Sequence, residues 1–126
     1  MLADVLELVG KDDEAGSFAR ISEEVSDPDD IDSQARWRTV KAKLLAKQGR
    51  HEVALALARE AVRLAAPTDV LNLHGHCYLA LGAVLQASGR QTESREVFAE
   101  AARAFDRKGN VAAAAQARAR MPQAWR

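Results

Sequence analysis

The chain has a single cysteine, Cys77, so it can form no internal disulfide, and nothing in it points to an oxidising compartment. It also lacks a dominant charge: lysine plus arginine number 18 and aspartate plus glutamate 18, so no global field draws it to nucleic acid or to an anionic membrane. No apolar run approaches the ~20 residues that cross a bilayer. The N-terminal stretch MLADVLELVGKDDE has neither the basic lead nor the long apolar run of an export signal. A soluble, cytoplasmic chain is expected, with no nucleic-acid and no membrane partner. Aromatic residues are scarce, at 5%, and the 48% of apolar residues comes mainly from alanine, leucine and valine. Such side chains suit closely packed helices, so an all-α fold is expected, and 126 residues fit one domain around one core.

What is present is a repeat. Three glycine-plus-basic turns, Gly10-Lys11, Gly49-Arg50 and Gly89-Arg90, are separated by 39 and 40 residues, a spacing that marks stacked supersecondary units. Breakers of a second kind alternate with them: SDPDD around Pro28, APTD around Pro67 and RKGN around Gly109. The intervals have helical periodicity. Ser94, Phe98, Ala101 and Phe105 form one stripe, with Glu93, Glu96, Glu100 and Arg103 off it, and Ala54, Leu57, Ala58, Ala61 and Val62 form another. Thr68 or Asp69 is expected to cap the helix carrying Tyr78, and Asp30, Asp32 or Ser33 the one carrying Trp37. Helices are expected at about 2–9, 12–25, 33–48, 51–65, 69–88, 91–107 and 110–120, six or seven in all. They group into hairpins at about 1–26, 32–66 and 68–107 with a closing helix at 110–120, one helical repeat domain over 1–121. Residues 122–126, with Trp125, form a short flexible tail.

Gly82 falls inside one of these helices, where glycine costs about 1 kcal/mol relative to alanine. Aligning the hairpins on their turn glycines sets Ala42 beside Gly82, Leu45 beside Leu85, Ala54 beside Ser94 and Ala61 beside Ala101. Small residues in matched positions let antiparallel helices approach where they cross, while Tyr78, Leu81, Leu85 and Phe98 fill the space around them.

Tyr78, Leu81-Gly82, Leu85, Gly89, Ser94, Phe98 and Ala101 resemble the signature of the tetratricopeptide repeat: an aromatic, Leu-Gly, a large residue, a turn glycine, then Ala, Phe and Ala on the second helix. The middle hairpin keeps Leu45, Gly49, Ala54 and Ala61 but has Arg38, Ala42 and Ala58 for the aromatic, glycine and phenylalanine; the first keeps Leu6, Gly10 and Ala15. The period exceeds the family's 34 residues, and Asp106 stands where the family has its closing proline. A HEAT-like array, with repeats of 40 residues or more, is the alternative, and the matched small residues favour the tetratricopeptide form.

The resemblance implies hairpins stacked as a right-handed superhelix whose leading helices line a concave surface. Arg36, Lys43 and Lys47, at offsets of seven and four on one leading helix, would then join His76 and Gln86 of the next to receive an acidic peptide. The same stripe is also what a solvated helix face would carry. The lysine and asparagine pattern of chaperone-binding repeats is not matched.

A narrower resemblance covers about residues 20–120. Trp37-Arg38, Ala42-Lys43, Gly49-Arg50, Pro67-Thr68-Asp69 with Leu71-Asn72-Leu73, and Lys108-Gly109-Asn110-Val111 are similar to the C-terminal repeats of large bacterial signalling proteins. Those proteins join a class III adenylate/guanylate cyclase domain, an AAA-type ATPase and tetratricopeptide hairpins; His74, His76 and Cys77 depart from their pattern. The catalytic parts would lie upstream, since the chain has no G-x-x-x-x-G-K-[ST] phosphate cradle and no sign of a cyclase's paired metal-binding aspartates. The implied role is a non-enzymatic interaction or regulatory module, without cofactor, that binds a protein segment or couples neighbouring domains of a parent chain. A dimerising spacer is the architectural alternative, a homodimer covering Leu2, Val5, Leu6 and Val9 at the front end. The third reading is a metal or ligand site at HGHC. There His74 and Cys77 share a helix face, His76 points elsewhere, and zinc needs three or four ligands. A buried thiol with partly exposed histidines is the plainer account, and no metal is expected.

Overall fold

Helices in the computed structural model begin at Ile31, His51, Leu71, Gln91 and Val111, twenty residues apart each time, so each turn-to-turn repeat resolves into two helices. The structure describes residues 30–121 together with Arg20 and Glu23. Leu2, Val5, Leu6, Val9, most of the hairpin expected at 1–26, and the tail with Trp125 lie outside the described residues. Among the described residues there is no strand, and there are five helices, at the places of the last five expected: α1 (Ile31–Lys47), α2 (His51–Ala65), α3 (Leu71–Ala87), α4 (Gln91–Lys108) and α5 (Val111–Ala119). The two expected at 2–9 and 12–25 lie, apart from Arg20 and Glu23, outside the described residues. None is long and apolar enough to cross a membrane.

The helices pair because their connections leave no slack. Gly49 and Gly89 take φ of 80° and 82°, a left-handed conformation that only glycine adopts without strain. This lets the Arg50 N–H donate to the Leu45 carbonyl at 3.0 Å and the Gly49 N–H to Ala46 at 3.0 Å. Arg90 and Gly89 repeat the pattern on Leu85 and Gln86 at 2.9 and 3.1 Å. These paired bonds satisfy the last carbonyls of α1 and α3 and reverse the chain within three residues. Gly109, with φ of 83°, closes α4 in the same way, the Asn110 N–H donating to Phe105 at 2.8 Å. The Asn110 side chain then starts α5 by accepting from the Ala113 N–H at 3.2 Å.

Asp30 caps α1, accepting from the Ser33 N–H at 3.2 Å and the Ser33 hydroxyl at 2.8 Å, and these bonds hold its carboxyl below the usual range. The expectation for α3 needs correction. Its N-cap is Val70, which makes no side-chain cap bond. The Thr68 hydroxyl donates instead to the Ala65 carbonyl at 2.8 Å, tying off the end of α2, and Asp69 is exposed.

Gly82 owes its place to a phenyl ring. A Cβ there would lie 2.7 Å from Cε1 of Phe98, which is wholly buried. Seven residues earlier on α3 Gly75 stands in the same relation to Phe105, seven residues later on α4, with a Cβ-to-Cζ approach of 2.5 Å. Two rings thus fill the places of two missing side chains, and the Ser94 hydroxyl donates to the Gly82 carbonyl at 2.9 Å between them and the turn. Forty residues earlier the four positions are Ala35, Ala42, Ala58 and Ala65, each no more than 1% exposed. The first hairpin therefore divides the same volume into alanine pairs where the second sets phenylalanine on glycine.

The remaining core follows the expected pattern with one correction. Leu81, Leu85 and Ala101 are buried, and Tyr78 packs half-buried beside the cluster of α4 and α5. In α2, Leu57 and Val62 of the expected stripe are half-buried, while Leu55, which lies off it, is 2% exposed and packs with Leu81, Val84 and Leu85. Leu55 thus sits in a cluster that joins its own hairpin, through Ala42, Leu45 and Ala46, to the next, a second contact face that a single-face periodicity does not anticipate.

The seam between α3 and α4 has a measurable signature. Overpacking costs about 1–3 kcal/mol and helix propensity returns about 1 kcal/mol, so Gly82→Ala is expected to destabilise. In a Phe98→Ala background the same change recreates the Ala42–Ala58 arrangement and should become neutral or stabilising by up to ~1 kcal/mol. Urea unfolding of the two single variants and the double variant checks this, and additive effects would contradict the seam.

Candidate binding surface

Besides the pairs within hairpins, α2 packs on α3, α4 on α5, and α1 directly on α3, whereas α2 and α4 at most graze each other. The two leading helices α1 and α3 therefore lie side by side across the hairpins. In the forty-residue register Arg36 is level with His76, and Lys47 with the turn that carries Gln86.

The structure brings Arg36 and His76 together through a buried intermediary. Thr39, fully buried, donates its only hydroxyl hydrogen to the Arg36 carbonyl at 2.7 Å, and its oxygen lies 3.2 Å from His76 Nε2. The shared contact therefore has His76 donating from Nε2, which fixes its tautomer. The Arg36 guanidinium donates from Nε to Asp32 at 2.8 Å, so part of its charge is already answered. Lys43 is half-buried and Lys47 exposed, and neither is without an interaction of its own. Gln86 is exposed, ten residues beyond His76 and so about 15 Å farther along α3. The five residues expected at the site form a strip along two helices, with no single point of convergence.

The strip's polarity comes from α1 alone. That helix carries five basic residues and one acidic one, while α3, of equal length, contains no Asp, Glu, Lys or Arg. Counting charge over the whole chain conceals this bias. Counting it helix by helix would also have shown Arg38 and Lys41, which lie on the other side of α1 from Arg36, Lys43 and Lys47 and stand on the Trp37 ring, the Arg38 guanidinium 4.2 Å and the Lys41 ammonium 5.8 Å from its centroid. Trp37 itself is 6% exposed and donates its indole N–H to Gln34 at 3.3 Å.

The HGHC segment is occupied by structural work. His74 Nε2 donates to the Thr68 carbonyl at 2.9 Å, fastening the first turns of α3 to the preceding loop, and Gly75 receives Phe105. His76 is bonded to Thr39, and Cys77 is buried, its thiol pushed up to about 12 chiefly by desolvation. Among the described residues no three His, Cys, Asp or Glu side chains are grouped to hold a metal. A cleft of about 90 Å³ bounded by Val62, Ala65, Ala66, His74, Cys77 and Tyr78 has room for a few waters. It is well short of the roughly 300 Å³ at which small-molecule sites begin.

Comparison with protein-family models, with curated proteins and with solved structures gives no match for this chain.

Purified chain is expected to contain no stoichiometric zinc and to melt unchanged after chelation, as elemental analysis and calorimetry would show. In the unfolded chain the Cys77 thiol has its ordinary value near 9.0, so it ionises there before it does in the folded chain, at about 12. Stability is therefore undiminished by this group below pH ~9 and falls as pH rises toward ~12. At pH 8 alkylation of Cys77 should be slow in the native chain and accelerate with denaturant; rapid native labelling would contradict its burial.

Proposed function

We propose that the chain is a non-enzymatic protein-interaction module of tetratricopeptide type, whose inner face of α1 and α3 receives an acidic peptide segment. The reading rests on one observation: the basic excess lies on α1, a leading helix that packs directly on the next leading helix, α3. An extended acidic segment laid along α1 would meet Arg36, Lys43 and Lys47 at one- and two-turn intervals, with His76 and Gln86 supplying polar contacts from α3. The signature residues Tyr78, Leu81, Gly82, Leu85, Gly89, Ser94, Phe98 and Ala101 support the family reading by their packing roles. The resemblance of Trp37-Arg38, Gly49-Arg50 and Lys108-Gly109-Asn110-Val111 to repeats of cyclase–ATPase signalling proteins extends the proposal to a regulatory segment of such a protein, coupling neighbouring domains of a parent chain.

A fluorescein-labelled glutamate-rich peptide is the direct probe. Anisotropy at low salt should show binding that weakens as salt rises, because exposed charges are screened within ~10 Å at 0.1 M. Lys43→Glu with Lys47→Glu should reduce affinity on the order of tenfold or more, and Arg103→Glu on α4 should leave it unchanged. Equal affinity in the α1 and α4 variants would end the reading.

A further inference from the structure

The two edges of the strip differ in chemistry. Thr39 on α1 and His76 on α3 touch, and this contact fixes how the two leading helices face one another at that level. Along the same flank toward its C-terminal end, α1 presents Lys43 one turn beyond Thr39 and Lys47 two turns beyond it. The matching flank of α3 presents Ala83 two turns beyond His76 and Ala87 three turns beyond, roughly 10 and 16 Å along its axis. Long cationic side chains thus line one edge and bare methyl groups the other. Ala83 is half-buried and Ala87 exposed, as Lys43 and Lys47 are on the facing edge. The next leading helix, α5, ends at Ala119, level with Leu79 in the forty-residue register, so it stops short of both alanines.

Charge alone makes this a weak site. Arg36 is already bonded to Asp32, and Lys43 and Lys47 each have an interaction of their own, so a ligand's carboxylates would share these cations with existing partners. Exposed ion pairs contribute little and fade as salt rises. Removing apolar surface from water is not screened in this way, and the α3 edge offers it. The whole of α3 contains no Asp, Glu, Lys or Arg, so a hydrocarbon side chain laid on Ala83 and Ala87 displaces water without burying a charge of that helix. A carboxylate laid there would meet no cation of α3.

We propose that the segment received by this strip is amphipathic, with carboxylates along the edge over α1 and aliphatic side chains along the other, seated on Ala83 and Ala87. The inference rests on the acidic-peptide reading given above and narrows it, from any acidic segment to one with a hydrocarbon edge. Binding then has two parts that respond differently to salt: the α1 contacts weaken as salt rises, and the α3 contacts persist.

Two fluorescein-labelled peptides of equal length and equal glutamate content, one with leucine and the other with serine between the glutamates, test this by anisotropy against the full chain. The leucine peptide should bind several-fold more tightly, in a ratio that is the same at ~20 mM and ~500 mM salt while both affinities fall. In the variant Ala83→Gln, Ala87→Gln the ratio should drop toward one with the serine peptide's affinity unchanged, and urea unfolding like that of the parent chain checks that the variant is folded. Should the double change impair folding, Ala87→Gln alone, at the exposed last residue of α3, should lower the ratio part of the way. A leucine advantage that survives these substitutions puts the apolar contact elsewhere and overturns the inference. Equal affinity of the two peptides for the parent chain also overturns it and leaves the acidic-peptide reading standing. If neither peptide binds, that reading fails and the narrowing fails with it.

Discussion

Two phenyl rings lying where two side chains are absent set the geometry of the second hairpin. Phe98 over Gly82 and Phe105 over Gly75 are seven residues apart on both helices, so the antiparallel pairing is fixed at two levels and cannot rotate without forcing a ring into backbone. The left-handed turn at Gly89 sits at the end of this seam, and the Ser94 bond to the Gly82 carbonyl lies between turn and rings. Helix propensity opposes both glycines. Packing of two large, buried rings outweighs it.

The same seam determines which flank of α3 meets α1. With one flank of α3 committed to α4, its opposite flank is left to meet α1, and the contact there is partly polar, through Thr39 and His76. A buried hydroxyl that donates to its own helix and accepts from the next helix specifies register more sharply than an apolar contact would. The strip of Arg36, Lys43 and Lys47 is therefore held level with His76 and Gln86 by the core. Its charge lies on a rigid helix, and the ligand's ordering would carry most of the entropic cost of binding.

Much of the fold was legible in the sequence because its punctuation is strong. Gly49, Gly89 and Gly109 each require a positive φ, and helix edges fell within about two residues of where these glycines and Pro67 place them. Gly82 was interpretable because Phe98 and Ser94 stood at matched positions across a turn. Gly75 was not, although it does the same work, because it is embedded in a histidine–cysteine string that draws attention to metal chemistry. Its partner Phe105 was visible as part of a stripe but not as the filler of a missing side chain. The cap of α3 was misplaced because Thr68, a good capping residue in isolation, lies two residues before the N-cap, where its oxygen accepts from the Val70 N–H and not from the first-turn amides of α3. The charge of α1 was overlooked for a different reason: summing over the chain cancels a bias that only a helix-by-helix count exposes.

Three-residue reversals at Gly49 and Gly89 contrast with the longer passage through residues 66–70, where Val70 caps its helix without a side-chain bond. Inside a hairpin, one inserted residue in either helix would swing everything beyond it by about 100° and replace ring-on-backbone contact with charge. Between hairpins the chain crosses on the surface with exposed Ala66, Pro67 and Asp69. Lineages descended from such a chain should therefore vary in length at that passage and hardly at all within the paired rods, so new copies of the unit would be spliced in whole, as forty-residue hairpins.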